Sequence, residues 1–139
     1  MKIVLDTNVF MSGVFFGGAP EAILVAWQAS KLELAVSLDI YTEYDRVAKE
    51  LADKYPEVDP TPFLELVALH AEMWDCQPLD KQVCGDPDDD KFLACALAAD
   101  AKHVVSGDKL LLQVTGYRGI EVIKPREFVD RYLESTPQE

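Results

Sequence analysis

The chain reads as an α/β domain, three layers deep, with helices on both faces of a central parallel sheet. Three observations predict this. Strand-like and helix-like segments alternate from end to end. The first strand candidate, Lys2 to Leu5, is an apolar run without alternation, as in strands buried on both faces. And 139 residues, 49% of them hydrophobic and 27% charged, are enough for one core of that depth.

The elements follow in order. After Leu5 the glycines Gly13, Gly17 and Gly18 predict a loop. Ala19 to Ser30 has Pro20 near its first turn and Ala22, Ile23, Ala26 and Trp27 at helical spacing. Leu32 to Ser37 is the second strand. Ser37 can cap the next helix, whose apolar stripe is Ile40, Tyr44, Val47 and Leu51. Pro56, Pro60 and Pro62 mark a connector, and Phe63 to Trp74 reads as a helix. A short strand is expected at Cys76 to Leu79. Asp86 caps a helix that has Pro87 at its first position and runs to about Asp100. His103 to Ser106 is a strand and Lys109 to Val114 a short helix. Glu121 to Ile123 is the last strand, and Pro125 opens a closing helix through Leu133. The domain is expected over 1–133, followed by a polar tail over 134–139.

Composition narrows the function. No basic segment leading into an apolar one opens the chain, so no signal peptide is expected. No apolar run approaches the roughly 20 residues of a bilayer span, so no membrane partner is expected. Cys76, Cys84 and Cys95 are odd in number and form no CxxC pair, which fits reduced thiols in a cytoplasmic protein. His70 and His103 are too isolated to suggest zinc. A net charge of −12 argues against nonspecific polyanion binding, but not against a nucleic-acid substrate, because bound cations would offset part of it.

Four acids stand where strands end or helices begin. They are Asp6 in IVLDTN, Glu43 in SLDIYTEY, Asp90 in GDPDDDKFLACA and Asp108 in VVSGDKLLL. Each has an ordinary reading as a cap or a solvated side chain. Asp86 suits an N-cap, and Asp88 and Asp89 suit the positive end of a helix dipole. Asp90 is singled out by register, because it shares a face with Leu93 and Leu97 and an inward carboxylate needs a partner. Thr7, Asn8 and Ser106 offer hydrogen bonds that orient the carboxylates. Two carboxylates about 4 Å apart repel by about 4 kcal/mol at an effective dielectric of about 20. Four on one sheet edge therefore suit a hard divalent cation and phosphate chemistry. On that reading, Asp90→Asn should raise the melting temperature of metal-free protein.

Rival chemistries lack their motifs. An aspartyl-phosphate phosphatase needs an acid two residues after Asp6, where Asn8 stands. GxGxxG and GxxxxGK[ST] are both missing.

The ordered set of motifs resembles the PIN-domain family. It comprises IVLDTN at the N-terminus, S-x-x-x-x-x-E from Ser37 to Glu43, D-x-x-L-A-x-A from Asp90 to Ala96, S-G-D from Ser106 to Asp108, and GIEVIKPREF from Gly119 to Phe128. The likeness spans Met1 to about Leu133 and is nearest to VapC-like toxin components of toxin–antitoxin pairs. It implies a PIN-like α/β/α fold, one or two Mg²⁺ or Mn²⁺ ions, and endoribonuclease activity on an RNA substrate through ion-activated water. It also implies an antitoxin protein partner and a homodimer. By motif, Asp6, Glu43, Asp90 and Asp108 take the family's catalytic and metal-binding positions. Ser106 stands where Thr is usual, and Leu110 to Leu112 add no further acid. The alternative is a PIN-like scaffold that binds RNA or protein without cutting.

Overall fold

A computed structural model describes residues 1–133; the tail expected over 134–139 lies outside the described residues. Five strands form one parallel sheet: β1 (Lys2–Leu5), β2 (Glu33–Ser37), β3 (Glu72–Trp74), β4 (His103–Val105) and β5 (Glu121–Ile123). Their spatial order is β3-β2-β1-β4-β5. The helices are α1 (Thr7–Phe15), α2 (Gly18–Gln28), α3 (Leu38–Lys54), α4 (Thr61–His70), α5 (Asp90–Ala99), α6 (Lys109–Leu112) and α7 (Pro125–Phe128). The chain steps outward from β1 to β3, then crosses back to β4. Crossovers in opposite directions from β1 place helices on both faces, giving the three-layer α/β/α fold. No single helix among the described residues is long and apolar enough to cross a membrane.

The central strands are apolar because both faces are covered. Ile3, Val4, Leu5, Leu34, Ala35, Val36, Val104 and Val105 are all buried. The helix α5 packs against β1, β2 and β4. The switch in strand order falls between β1 and β4, which pair in parallel from Ile3↔His103 to Leu5↔Val105. In such sheets the crevice at the carboxyl end of the switch is where ligands bind.

The structure corrects three sequence expectations. The segment after Leu5 is the helix α1 rather than a loop. The Asp6 carboxylate caps it, accepting from the Val9 amide at 2.9 Å, and Val9, Phe10 and Met11 supply its buried face. Gly13 lies inside this helix because α2 passes close by. A Cβ there would sit 2.6 Å from Leu24 Cδ1 and 3.0 Å from the Pro20 carbonyl oxygen. Only Gly17 and Gly18, at φ 89° and 73°, make the turn. The short strand is at Glu72–Trp74 rather than Cys76 to Leu79, and it ends the preceding helix at His70. Pairing of Ala35↔Glu72 through Ser37↔Trp74 overrides the local helical spacing. The helix expected from Pro87 is a 3-10 turn over Pro87–Asp89 followed by α5.

Tyr44 joins α3 to the strand that carries the site. Its hydroxyl donates to the Leu5 carbonyl at 2.6 Å, and its ring stacks on Phe10 at 4.4 Å. Tyr44→Phe should cost about 0.5–1.5 kcal/mol, the net worth of one hydrogen bond. Tyr44→Ala should cost about 3–5 kcal/mol, because a large cavity opens against Phe10. Urea unfolding of the two variants checks this; equal losses would mean that the ring contributes nothing beyond its hydroxyl.

Candidate active site

Asp6 is the last residue before α1 and the first after β1. Its backbone amide donates to Val105 on β4 at 3.1 Å, extending the β1–β4 ladder by one bond. Its side chain is buried and doubly bonded: Oδ1 accepts from Val9, and Oδ2 accepts from the Ser106 hydroxyl. Ser106 also accepts from the Asp108 amide at 3.0 Å, so one hydroxyl links the two acids. Asp108 caps α6 through the Leu110 amide at 2.8 Å. Burial pushes the Asp6 carboxyl above the ordinary Asp range. The Ser106 and Val9 hydrogen bonds oppose that rise, and the Asp108 charge adds to it.

Asp6 and Asp108 line a pocket of about 200 Å³ with Thr7, Asn8, Glu43, Arg46, Val47, Phe92 and Asp89. The expected acids Asp6, Glu43 and Asp108 therefore come together. Asp90 does not join them. Its carboxylate turns to the preceding loop, accepting from Cys84 N at 2.8 Å and Val83 N at 3.1 Å. Asp90 is partly buried and has partners, as its register requires, but they are backbone amides. Neutralising it removes anchors instead of relieving repulsion, which reverses the sign expected for Asp90→Asn.

Asp89 lines the pocket in its place. The 3-10 turn winds more tightly than α5, so the face that carries Leu93 and Leu97 does not extend back through it. Asp89 Oδ2 is buried and has no hydrogen-bond partner. Its carboxyl is pushed up to about 6, first by burial and then by the charge of Asp108, with Asp86, Asp6 and Asp88 adding less. In the sequence Asp89 looked like a dipole-facing surface acid. The signal that could have found it is Pro87 one residue after a capping Asp86, which favours a tight first turn.

Glu43 stands on the pocket wall under different electrostatics. It accepts from the Thr7 hydroxyl and from Lys91 Nζ, the latter at 2.5 Å. Lys91 also bonds Asp88 at 3.0 Å. Burial works against the Lys91 ammonium, but its bonds to Glu43 and Asp88 hold its pKa above the ordinary value. Lys91 reaches from α5 to α3, a contact between positions 48 residues apart in the sequence. Beyond Glu43 and Arg46, which line both spaces, lies a larger groove of about 690 Å³. The three cysteines are free, and burial raises the Cys84 thiol to about 12, with Asp90 adding to the rise, so it is neither nucleophile nor ligand.

The family model for the PIN domain matches residues 2–110. The chain belongs to the PIN-domain family. Its match covers β1 through β4 and every residue of the acidic pocket. PIN domains are generally nucleases and typically bind divalent metals. No curated protein matches this chain. Among the described residues, no three His, Cys, Asp or Glu side chains close into a ready-made ligand group. The donor chemistry of this PIN domain nonetheless fits a hard cation: all donors are carboxylate oxygens, and Asp89 offers a buried oxygen that nothing else satisfies.

Asp89 makes the pocket sensitive to pH. Its folded pKa near 6 lies above the unfolded value of about 3.9. The native state holds that proton more tightly, so stability falls as pH rises between those values, and the loss is complete above about pH 6. In metal-free buffer at about pH 7.5, Asp89→Asn should be more stable than wild type by on the order of 1–2 kcal/mol, allowing for partial exposure. The advantage should shrink toward zero near pH 4. Urea midpoints across that range measure it; a difference that ignores pH would mean that Asp89 is not the titrating group.

Proposed function

We propose that this PIN domain is a divalent-metal-dependent endoribonuclease whose ion is held by Asp6, Asp89 and Asp108. The observation that carries this reading is the buried, unpartnered Asp89 oxygen in a pocket shared with Asp6 and Asp108. Carboxylates that share one pocket at a switch-point crevice are costly for a domain worth about 5–15 kcal/mol, unless a cation offsets them. A bound Mg²⁺ or Mn²⁺ supplies Lewis-acid stabilisation of charge on a phosphodiester and lowers the pKa of water beside it.

The protein's own residues do the rest. Ser106 fixes the Asp6 carboxylate and the Asp108 backbone together, so the spacing of these two acids is set before substrate arrives. Thr7 and Lys91 hold Glu43 on the wall, where its carboxylate can orient water or take a proton. Arg46 lines the mouth with an exposed guanidinium suited to a backbone phosphate. Phe92 lines the pocket and is itself buried, as are Phe10 and Tyr44.

Purified protein should cleave a mixed RNA pool in Mn²⁺ or Mg²⁺ and stop in chelator. Asp6→Asn and Asp89→Asn should each lose at least about a hundredfold in rate, more than changes beside a metal site usually cost. Asp90→Asn should instead melt lower, by about 1–3 kcal/mol, and keep most of its rate. Cleavage that survives chelator would end this reading, and pure protein that binds RNA without cutting would favour the scaffold.

The resemblance to toxin components supports a further part of the proposal: a cytoplasmic toxin, homodimeric, silenced by an antitoxin. A net charge of −12 and an acidic pocket suit a partner segment rich in Arg or Lys. Binding of such a segment should weaken as salt rises. Titration at two salt concentrations checks this, and affinity that ignores salt would count against it.

A further inference from the structure

The pocket is compensated unevenly. Asp89 keeps a buried oxygen without a partner. Glu43 has both oxygens taken by donors of this chain, the Thr7 hydroxyl and the Lys91 ammonium. Lys91 Nζ lies 2.5 Å from Glu43 Oε1 and 3.0 Å from Asp88 Oδ2, and only 14% of its side chain is exposed. Its Nζ also lies 5.4 Å from the centre of the Phe92 ring, which lines the acidic pocket. A lysine held this way gives up rotamer freedom and hydration, so the contacts must repay both.

We propose that Lys91 takes the place of a second divalent cation, so that the pocket binds one ion, at Asp6, Asp89 and Asp108, and not a pair. This rests on the metal-dependent reading above and names the ion count of that same site. An ammonium and a divalent ion compete for the same carboxylate oxygens. An ion such as Mg²⁺ needs those oxygens bare at about 2.0–2.1 Å. At Glu43 and Asp88 it would also meet the positive charge of Lys91. At Asp89 it meets a bare oxygen and further negative charge. Lys91 is therefore a positioning residue. It holds Glu43 as a fixed hydrogen-bonding carboxylate on the wall and keeps it from becoming a ligand.

Titration of free Mn²⁺ by electron paramagnetic resonance, carried into the millimolar range, counts ions without recourse to activity. Wild type should bind one. Lys91→Met, shown to be folded by circular dichroism, should bind two, the second more weakly. Lys91→Arg keeps the charge and should bind one. Adding Glu43→Gln to Lys91→Met should return the count to one. Glu43→Gln alone does not depend on how Lys91 variants fold. It should bind one ion with affinity within about threefold of wild type, whereas loss of a true ligand would cost more than the roughly 10–100-fold seen for residues beside a site. Two ions in wild type, one in folded Lys91→Met, or a large loss in Glu43→Gln would each overturn the proposal. Wild type that binds no Mn²⁺ would instead sink the metal-dependent reading, and this inference with it.

Discussion

The hydrogen bond from the Ser106 hydroxyl to Asp6 closes the seam on which the site is built. β1 and β4 are neighbours in space but are separated by two other strands and five α-helices in sequence. Their ladder runs through Leu5↔Val105 and gains one more bond, from Asp6 N to Val105 O. Ser106 and Asp6 then continue the seam by side chain. Because Ser106 also accepts from Asp108 N, the end of β4 and the start of α6 are fixed relative to the end of β1 and the start of α1. Two helix starts and two acids are thus set by one buried hydroxyl. Everything else in the pocket is added around this pair.

Placing acids there sets stability against function. Asp6 is buried, and its two hydrogen bonds only partly offset the lost hydration, so its carboxyl still titrates high. Asp89 has one buried oxygen with no offset at all, and the neighbouring charges add to its cost. Glu43 and Asp90 show the two other solutions open to a partly buried carboxylate. Glu43 is neutralised by an ammonium and a hydroxyl. Asp90 is satisfied by two loop amides and becomes a structural anchor. The difference among these acids lies in what the surrounding elements supply.

The surrounding core makes this tension tolerable. Ile40, Tyr44 and Ala48 are the buried residues of α3, and Phe10 stacks on Tyr44. Tyr44 returns a hydrogen bond to Leu5, the residue before Asp6. The apolar layer therefore holds the backbone at the site in place against the repulsion above it.

The sequence by itself determined the sheet and most of its covering. The apolar runs Lys2 to Leu5 and Leu32 to Ser37 are strands because burial on both faces leaves no polar side to encode. The stripe of Ile40, Tyr44, Val47 and Leu51 likewise specifies the face of α3. Asp6, Glu43 and Asp108 were legible as pocket residues because each follows a strand or starts a helix, and parallel topology gathers such positions at one edge. The choice between Asp89 and Asp90 was not legible. It depends on a turn of 3-10 geometry and on which loop amides reach a carboxylate, and adjacent residues differ there by about 100° of rotation or more. The helix α1, with Gly13 in it, was equally hidden, because its stability comes from the close approach of Leu24 and Pro20. The strand at Glu72–Trp74 depends on pairing with β2. Lys91 was hidden for the same reason: its partner Glu43 is 48 residues away. Local pattern determines which face of an element is apolar. Only the tertiary structure decides which polar groups meet, because those meetings are contacts between segments that carry no information about one another until the sheet has formed.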